Sequence, residues 1–293
     1  MELHAYAKIN LYLDVTAKRE NGYHDILSIM QTVDLCDTVR VNVHKGEPAE
    51  IALRCDWDLP PDERNLAYKA AKVYFADGGV PCKIEIDVQK RIPMQAGLAG
   101  GSADCAAVLR ALNAHFGAYT EEELLALGAR LGADVPFCLV GGTRITRGIG
   151  EIMQPCAPLP DCTLVIARGG SGVSTPWAYG ALDAMYGDFC AQGSDSEQRL
   201  AYLTDAMQAG DLSAMTDGMY NIFESVVLPV HEVARDLKAD VLAGGAIGAM
   251  MSGSGPSVVG IFTDADAAQR ACDSITQKGI AAFVCKPIAV THQ

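Results

Sequence analysis

From Ala5 to Val15 the chain alternates. Ala7, Ile9, Leu11, Leu13 and Val15 fall on one face, and Lys8, Asn10, Tyr12 and Asp14 on the other. A two-residue period is that of a strand with one side buried and the other solvated. Asn21-Gly22 follows as a turn signal, and Val39, Val41 and Val43 repeat the period in a second half-buried strand. Residues 65–76 then switch to helical spacing, which stops at Gly78-Gly79. Ile84, Ile86 and Val88 restore alternation over residues 83–88, and residues 102–116 are helical again. Asp104 falls in the expected first turn of that helix, where the macrodipole favours a negative charge. Thr120 and Glu123 form a capping box for a helix that ends near Gly132.

Pro155, Pro158 and Pro160 crowd one stretch and predict a domain boundary there, dividing the chain into residues 1–156 and 157–293. Beyond it the pattern predicts a strand over 163–167. A helix capped by Thr175 with Pro176 at its first position comes next. Helical spacing runs over roughly 177–243. A strand, a glycine-rich turn, a strand over 257–262, a helix over 265–278 and a strand over 281–286 close the pattern. Antiparallel signals mixed with helices argue an α+β fold and not a doubly wound parallel sheet.

Composition narrows the classes. The 293 residues are 49% hydrophobic, enough for a substantial core, and the net charge is -13. That charge disfavours a general nucleic-acid binder, although local backbone donors can still hold a small anion. No apolar run reaches the length of a membrane-spanning helix, and the first residues lack the charged and apolar regions of a secretion signal. Ten cysteines without a C-x-x-C pair read as reduced core residues of a cytoplasmic protein.

The richest chemistry lies at residues 90–107, K-R-I-P-M-Q-A-G-L-A-G-G-S-A-D-C-A-A. A strand enters this stretch and a helix leaves it. Glycines let the backbone turn its N–H groups inward, and a helix start adds free N–H groups and a positive dipole end, so the loop suits phosphate. The fingerprints G-x-x-x-x-G-K-[ST], G-x-G-x-x-G and G-x-S-x-G are all absent, so the loop belongs to another phosphate-binding class. Lys8 and Asn10 leave one face of their strand about 7 Å apart. Asp134, between Gly132 and Pro136, either braces a turn or is a carboxylate held rigidly for proton transfer. Pro136 is expected to hold Val135 extended. The Ser252-Gly253-Ser254-Gly255 segment is a hairpin loop whose small residues would also let backbone approach a ligand. Tyr23, His24 and Tyr179 serve either packing or ligand stacking.

Four segments occur together in order. They are Ala5-Tyr6-Ala7-Lys8-Ile9-Asn10-Leu11 with Gly22-Tyr23-His24; Pro93-Met94-Gln95-Ala96-Gly97-Leu98-Ala99-Gly100-Gly101-Ser102-Ala103; Gly132-Ala133-Asp134-Val135-Pro136; and Ser252-Gly253-Ser254-Gly255. In this the chain resembles the GHMP kinase superfamily along nearly its whole length. The A-K-I-N, G-Y-H and G-A-D-V-P segments resemble most the members that phosphorylate the 2-hydroxyl of a cytidine-diphosphate-linked polyol in isoprenoid precursor synthesis.

The resemblance implies an N-terminal domain like ribosomal protein S5 domain 2, a C-terminal ferredoxin-like domain and an active site between them. It implies ATP as phosphoryl donor, with Mg²⁺ expected beside it. It makes Asp134 the general base and Lys8 its electrostatic partner, with Asn10 orienting the acceptor hydroxyl. It places residues Pro93 to Ala103 around the ATP phosphates, Ser102 near the β-phosphate or Mg²⁺, and Asn65 beside the nucleotide. Tyr23, His24, Thr175 and Tyr179 would surround the cytidine, with a ring sandwich on its base. Ala103 stands where many superfamily loops carry a second serine, and Tyr179 where a phenylalanine is common. The rival readings are a homoserine or mevalonate kinase, or a non-catalytic nucleotide- or RNA-binding module. Monomer and homodimer are both compatible with the sequence.

Overall fold

A computed structural model describes residues 1–75, 79–187 and 193–289. In chain order the elements are β1 (Glu2–Lys18), β2 (His24–His44), β3 (Glu50–Cys55), α1 (Leu66–Tyr74), β4 (Lys83–Gln89), α2 (Gly100–Phe116), α3 (Glu121–Leu131), α4 (Val135–Val140), β5 (Thr143–Arg147) and β6 (Ile152–Pro155). Then follow β7 (Thr163–Arg168), α5 (Thr175–Tyr186), α6 (Gly193–Ala209), α7 (Leu212–Gly218), β8 (Tyr220–Asn221), α8 (Glu224–Val227), α9 (Glu232–Ala243), β9 (Gly248–Met251), β10 (Val258–Phe262), α10 (Ala265–Gln277) and β11 (Ala281–Cys285).

Two sheets organise these elements, and the fold is α+β, as the pattern predicts. The larger runs β3-β4-β2-β1-β8, with β5 on β2 and β6 on β5. The smaller is antiparallel in the order β11-β7-β10-β9. Counted from β7 this is 4-1-3-2, and α9 and α10 share one core with β7 and β10, the ferredoxin-like arrangement. The 251–257 loop joins β9 to β10 as the expected hairpin.

The first strand departs from simple alternation. From Ala7 to Val15 both of its faces are buried, including Lys8, Asn10 and Asp14. The expected solvated face is therefore internal, because other elements cover it. A register shift between Asn10 and Tyr12 also breaks the two-residue period. Ile9, Leu11 and Tyr12 consequently pack in one cluster with the second sheet's Leu164 and Ile166. Leu13 and Val15 pack in another, with Phe137 and Phe223.

Several helix ends differ from the sequence pattern. Asn65 caps α1 through its side-chain oxygen, as its residue type favours; the end expected at 76–78 lies outside the described residues. Helix α2 starts at Gly100, two residues early, so Asp104 falls beyond the first turn and answers a buried lysine instead of the dipole. The Thr120–Glu123 capping box forms as expected. Val135 is helical, not extended. It opens α4, and Pro136 in a first turn forgoes only an N–H that has no intrahelical acceptor. Ser174, not Thr175, caps α5, so Pro176 sits one position deeper.

Candidate active site

A cleft of about 1180 Å³ is lined by residues from β1, the loop before α2, the turn before α4, the start of α5 and the 253–255 loop. It exceeds the usual 300–1,000 Å³ of a single-ligand pocket. Its floor is polar. Lys8 is only 4% exposed, and its Nζ donates to Asn10 Oδ1 at 2.8 Å. That oxygen also accepts the Gly253 N–H at 3.0 Å, while Asn10 Nδ2 donates to Ser28 Oγ at 2.8 Å. Three partners thus fix the Asn10 amide and aim the Lys8 ammonium. The Asp134 carboxylate, one-third exposed, faces that ammonium with Oδ2 at 4.0 Å. This is close enough for charge attraction and too long for a direct hydrogen bond, so the pair frames a gap open to the cleft.

The glycine loop is tied to this floor, because the Lys8 N–H donates to Leu98 O at 3.1 Å. Gln95, Gly97 and Ala99 all have positive φ, at 48°, 74° and 58°, and Gln95 and Ala99 are the non-glycine residues with that geometry among those described. Alternate left-handed residues turn backbone N–H groups to one side, the geometry of an anion nest. Helix α2 then begins with no side-chain cap, which leaves its first N–H groups for a ligand. Gly97 is required sterically: a Cβ there would lie 2.1 Å from Ser252 O. Ser252 Oγ donates back to Gly97 O at 3.0 Å. Asn221, brought in by the pairing of β8 with β1, holds the other side of that hairpin loop through Met251 O and Gly253 O.

Beneath the loop lies a buried ion cluster that the sequence pattern does not reveal. Lys90 Nζ bonds Asp37 and, at 2.7 Å, Asp104, and Asp37 also accepts the Arg91 and Ile92 N–H groups. Burial, then the negative charge of Asp37, pushes the Asp104 carboxyl up to about 7 against the pull of Lys90. Burial works against the Lys90 ammonium, but the two carboxylates outweigh it and raise its value. The cluster fixes the end of β4 against the second turn of α2, and so the two ends of the glycine loop.

Elsewhere in the cleft, His24 and Tyr179 stack on one another with centroids 4.6 Å apart and planes at 20°. A base therefore cannot enter between those two rings, and the expected sandwich does not have them as its two sides; Tyr23, 59% exposed, is the open ring. Burial, then the charge of Asp134, pushes Tyr179 up to about 12, so its phenol stays neutral. Asp183 bonds His24 Nε2 at 2.7 Å and Lys18 at 2.5 Å. Thr175 Oγ1 meets Ser254 Oγ at 2.9 Å.

Most of the expected site residues come together here. Lys8, Asn10, Tyr23, His24, Asp134, Thr175, Tyr179 and the loop from Pro93 to Ser102 all line the cleft. Asn65 and Ala103 do not: Asn65 spends its oxygen on the α1 cap, with Leu66 lining the cleft in its place, and Ala103 is buried in the core. Lys90, Gly172 and Asp183 line it without having been expected there.

The family model for the N terminal domain of GHMP kinases matches residues 65–142, and that for their C terminal domain matches 203–281. A 4-diphosphocytidyl-2-C-methyl-D-erythritol kinase of Clostridium botulinum (strain Alaska E43 / Type E3) is 40% identical over 98% of this chain and 100% of its own. The chain belongs to the GHMP kinases, within their 4-diphosphocytidyl-2-C-methyl-D-erythritol kinase family. The enzyme of that name from Alkaliphilus metalliredigens (strain QYMF) is also 40% identical, over 94% of this chain and 92% of its own. A crystal structure of a 4-(cytidine 5'-diphospho)-2C-methyl-D-erythritol kinase is 31% identical and superposes on this GHMP kinase with a TM-score of 0.80, covering 98% and 99% of the two chains. A mevalonate kinase from L. major in complex with R-mevalonate shares the fold, with a TM-score of 0.75 at 16% identity over 99% of this chain and 97% of its own.

Proposed function

We propose that this chain transfers the γ-phosphoryl group of ATP to the 2-hydroxyl of 4-diphosphocytidyl-2-C-methyl-D-erythritol, as a step of isoprenoid precursor synthesis. One observation carries the reading: the Lys8 ammonium and the Asp134 carboxylate face each other across 4.0 Å in a cleft that also holds the glycine loop. Asp134 takes the hydroxyl proton. The freed oxygen attacks the γ-phosphorus, the bond from that phosphorus to the bridging oxygen breaks, and ADP departs. Lys8 stabilises the developing alkoxide. The backbone N–H groups of residues 95–101 hold the phosphates, which suits a reaction that asks mainly for positioning and charge stabilisation.

Mg²⁺ entering with ATP belongs to this reading. The described residues hold no group of three or more His, Cys, Asp or Glu side chains suited to a metal. The Ser102 hydroxyl, at the end of the glycine loop, is the hard oxygen donor that would hold such an ion, which fits one that takes few ligands from the protein. Such an ion would supply neutralisation of the negative charge on the phosphates. His24, Tyr179, Tyr23 and Thr175 would meet the cytidine, with Tyr23 closing over its base. The division at 156/157 is supported by the switch from the larger to the smaller sheet between β6 and β7, although β8 returns to the larger one. A cytoplasmic setting is supported by nine free thiols among the described residues. No described helix is long and apolar enough to cross a membrane.

The test is ATP consumption by the purified protein with four acceptors: 4-diphosphocytidyl-2-C-methyl-D-erythritol, homoserine, mevalonate and galactose. Turnover confined to the first supports the proposal. Preferential turnover of any other acceptor overturns it.

A further inference from the structure

At the Tyr179 end of the cleft one carboxylate serves two hydrogen-bond partners. Asp183 Oδ1 lies 2.7 Å from His24 Nε2, and Asp183 Oδ2 lies 2.5 Å from Lys18 Nζ. Asp183 follows Tyr179 by four residues on α5, so the two side chains share one helix face. Together they grip a single imidazole. Tyr179 covers its face at 4.6 Å, and Asp183 takes its edge. Tyr179 is itself held edge-on by Phe223 at 4.9 Å. His24 is buried, so its ring has little room to turn.

The chemistry of this grip is specific. An ionised carboxylate only accepts hydrogen bonds, so Nε2 must carry a hydrogen, and in a neutral ring that makes Nδ1 the acceptor atom. Lys18 keeps the carboxylate in that form. Burial acts to raise the Asp183 value, but Lys18 and His24 together bring it below the usual carboxylate range. A ring free to exchange tautomers would present donor and acceptor in turn; one fixed this way presents a constant polarity. Constant polarity is what lets a site select one ligand edge and penalise another.

We propose that Asp183 is a positioning residue for the acceptor substrate: it sets the tautomer and plane of His24 at the end of the cleft that takes the substrate's cytidine. This rests on the proposed function for the identity of the ligand, but not for the coupling of Asp183 to His24.

Two readouts on the full chain separate these parts. Two-bond ¹H–¹⁵N spectra of the histidine rings, with His24 assigned through His24→Gln, report the tautomer directly. The expected wild-type signature is the Nε2–H form, Asp183→Ala mixes tautomers, and Asp183→Asn, whose amide oxygen still accepts from Nε2, restores the form. In steady-state kinetics Asp183→Ala raises KM for the cytidylyl substrate about tenfold, the scale of one charge-assisted hydrogen bond. KM for ATP holds, and Asp183→Asn falls in between. An unchanged tautomer in Asp183→Ala overturns the inference, as does a lost tautomer with both KM values unchanged. A lost tautomer with the KM rise falling on ATP would leave the coupling standing and overturn the placing of the cytidine here.

Discussion

Replacing Lys90 with methionine removes the one cation between two buried carboxylates. Asp37 and Asp104 are 0% and 4% exposed, and Asp104 Oδ1 already has no hydrogen-bond partner among the described residues. Burial, then the negative charge of Asp37, holds the Asp104 carboxyl at about 7 and not at 3.8, against the pull of Lys90. At about 1.4 kcal/mol per pKa unit, that rise is a penalty of roughly 4 kcal/mol on the ionised form. Deleting one partner of a buried pair typically costs about 3–5 kcal/mol, so the variant should lose stability on that scale. The sign with pH follows from linkage. A carboxyl whose folded value lies above its unfolded value contributes fully at low pH, and the contribution is lost as pH rises through the folded value, here near 7. Without the ammonium that value rises further. Urea unfolding of wild type and Lys90→Met at about pH 5.5 and about pH 8 measures this, and the gap between them should be much larger at the higher pH. A loss below about 1 kcal/mol at the higher pH, or a loss equal at both, would refute the reasoning.

Two loop substitutions test the backbone argument. Gly97→Ala drives a Cβ into Ser252 O and requires a left-handed alanine, so ATP affinity measured by calorimetry should fall at least tenfold, about 1.4 kcal/mol. Ala99→Gly acts oppositely: it relieves a φ of 58° and should raise unfolding stability by up to about 1 kcal/mol in the same urea assay, whereas a destabilised variant would count against the left-handed geometry.

The sequence pattern locates the elements well where the period is local. The Thr120–Glu123 capping box, the Asn21-Gly22 turn and the strand over 83–88 all appear where the spacing puts them. A lysine at the centre of an otherwise apolar strand needs a partner, which singles out Lys8, whereas Asn10 and Asp134 are nominated by the resemblance, since an aspartate between Gly132 and Pro136 alone could equally brace a turn. What the pattern misses is non-local. The register shift in β1 depends on its pairing with β2, so Leu13 and Val15 could not be assigned their core from alternation alone. Asp37 and Asp104 meet Lys90 across 53 and 14 residues, and nothing local marks them as one cluster. Asp183 could have been flagged by its four-residue spacing from Tyr179, but its partners Lys18 and His24 lie 165 and 159 residues away. The direct stacking of His24 on Tyr179 is likewise a product of tertiary packing, invisible in either residue's neighbourhood.

The most direct measurement of the central claim is phosphoryl transfer by Asp134→Asn to 4-diphosphocytidyl-2-C-methyl-D-erythritol, followed in single turnover alongside equilibrium ATP binding. With the base removed and the shape kept, transfer should slow by about 10²–10⁴-fold, while ATP affinity stays unchanged because the nucleotide rests on the glycine loop. A variant that transfers phosphate as fast as wild type, or one whose whole defect is weaker ATP binding, would contradict the pairing of Asp134 with Lys8 as the reacting centre.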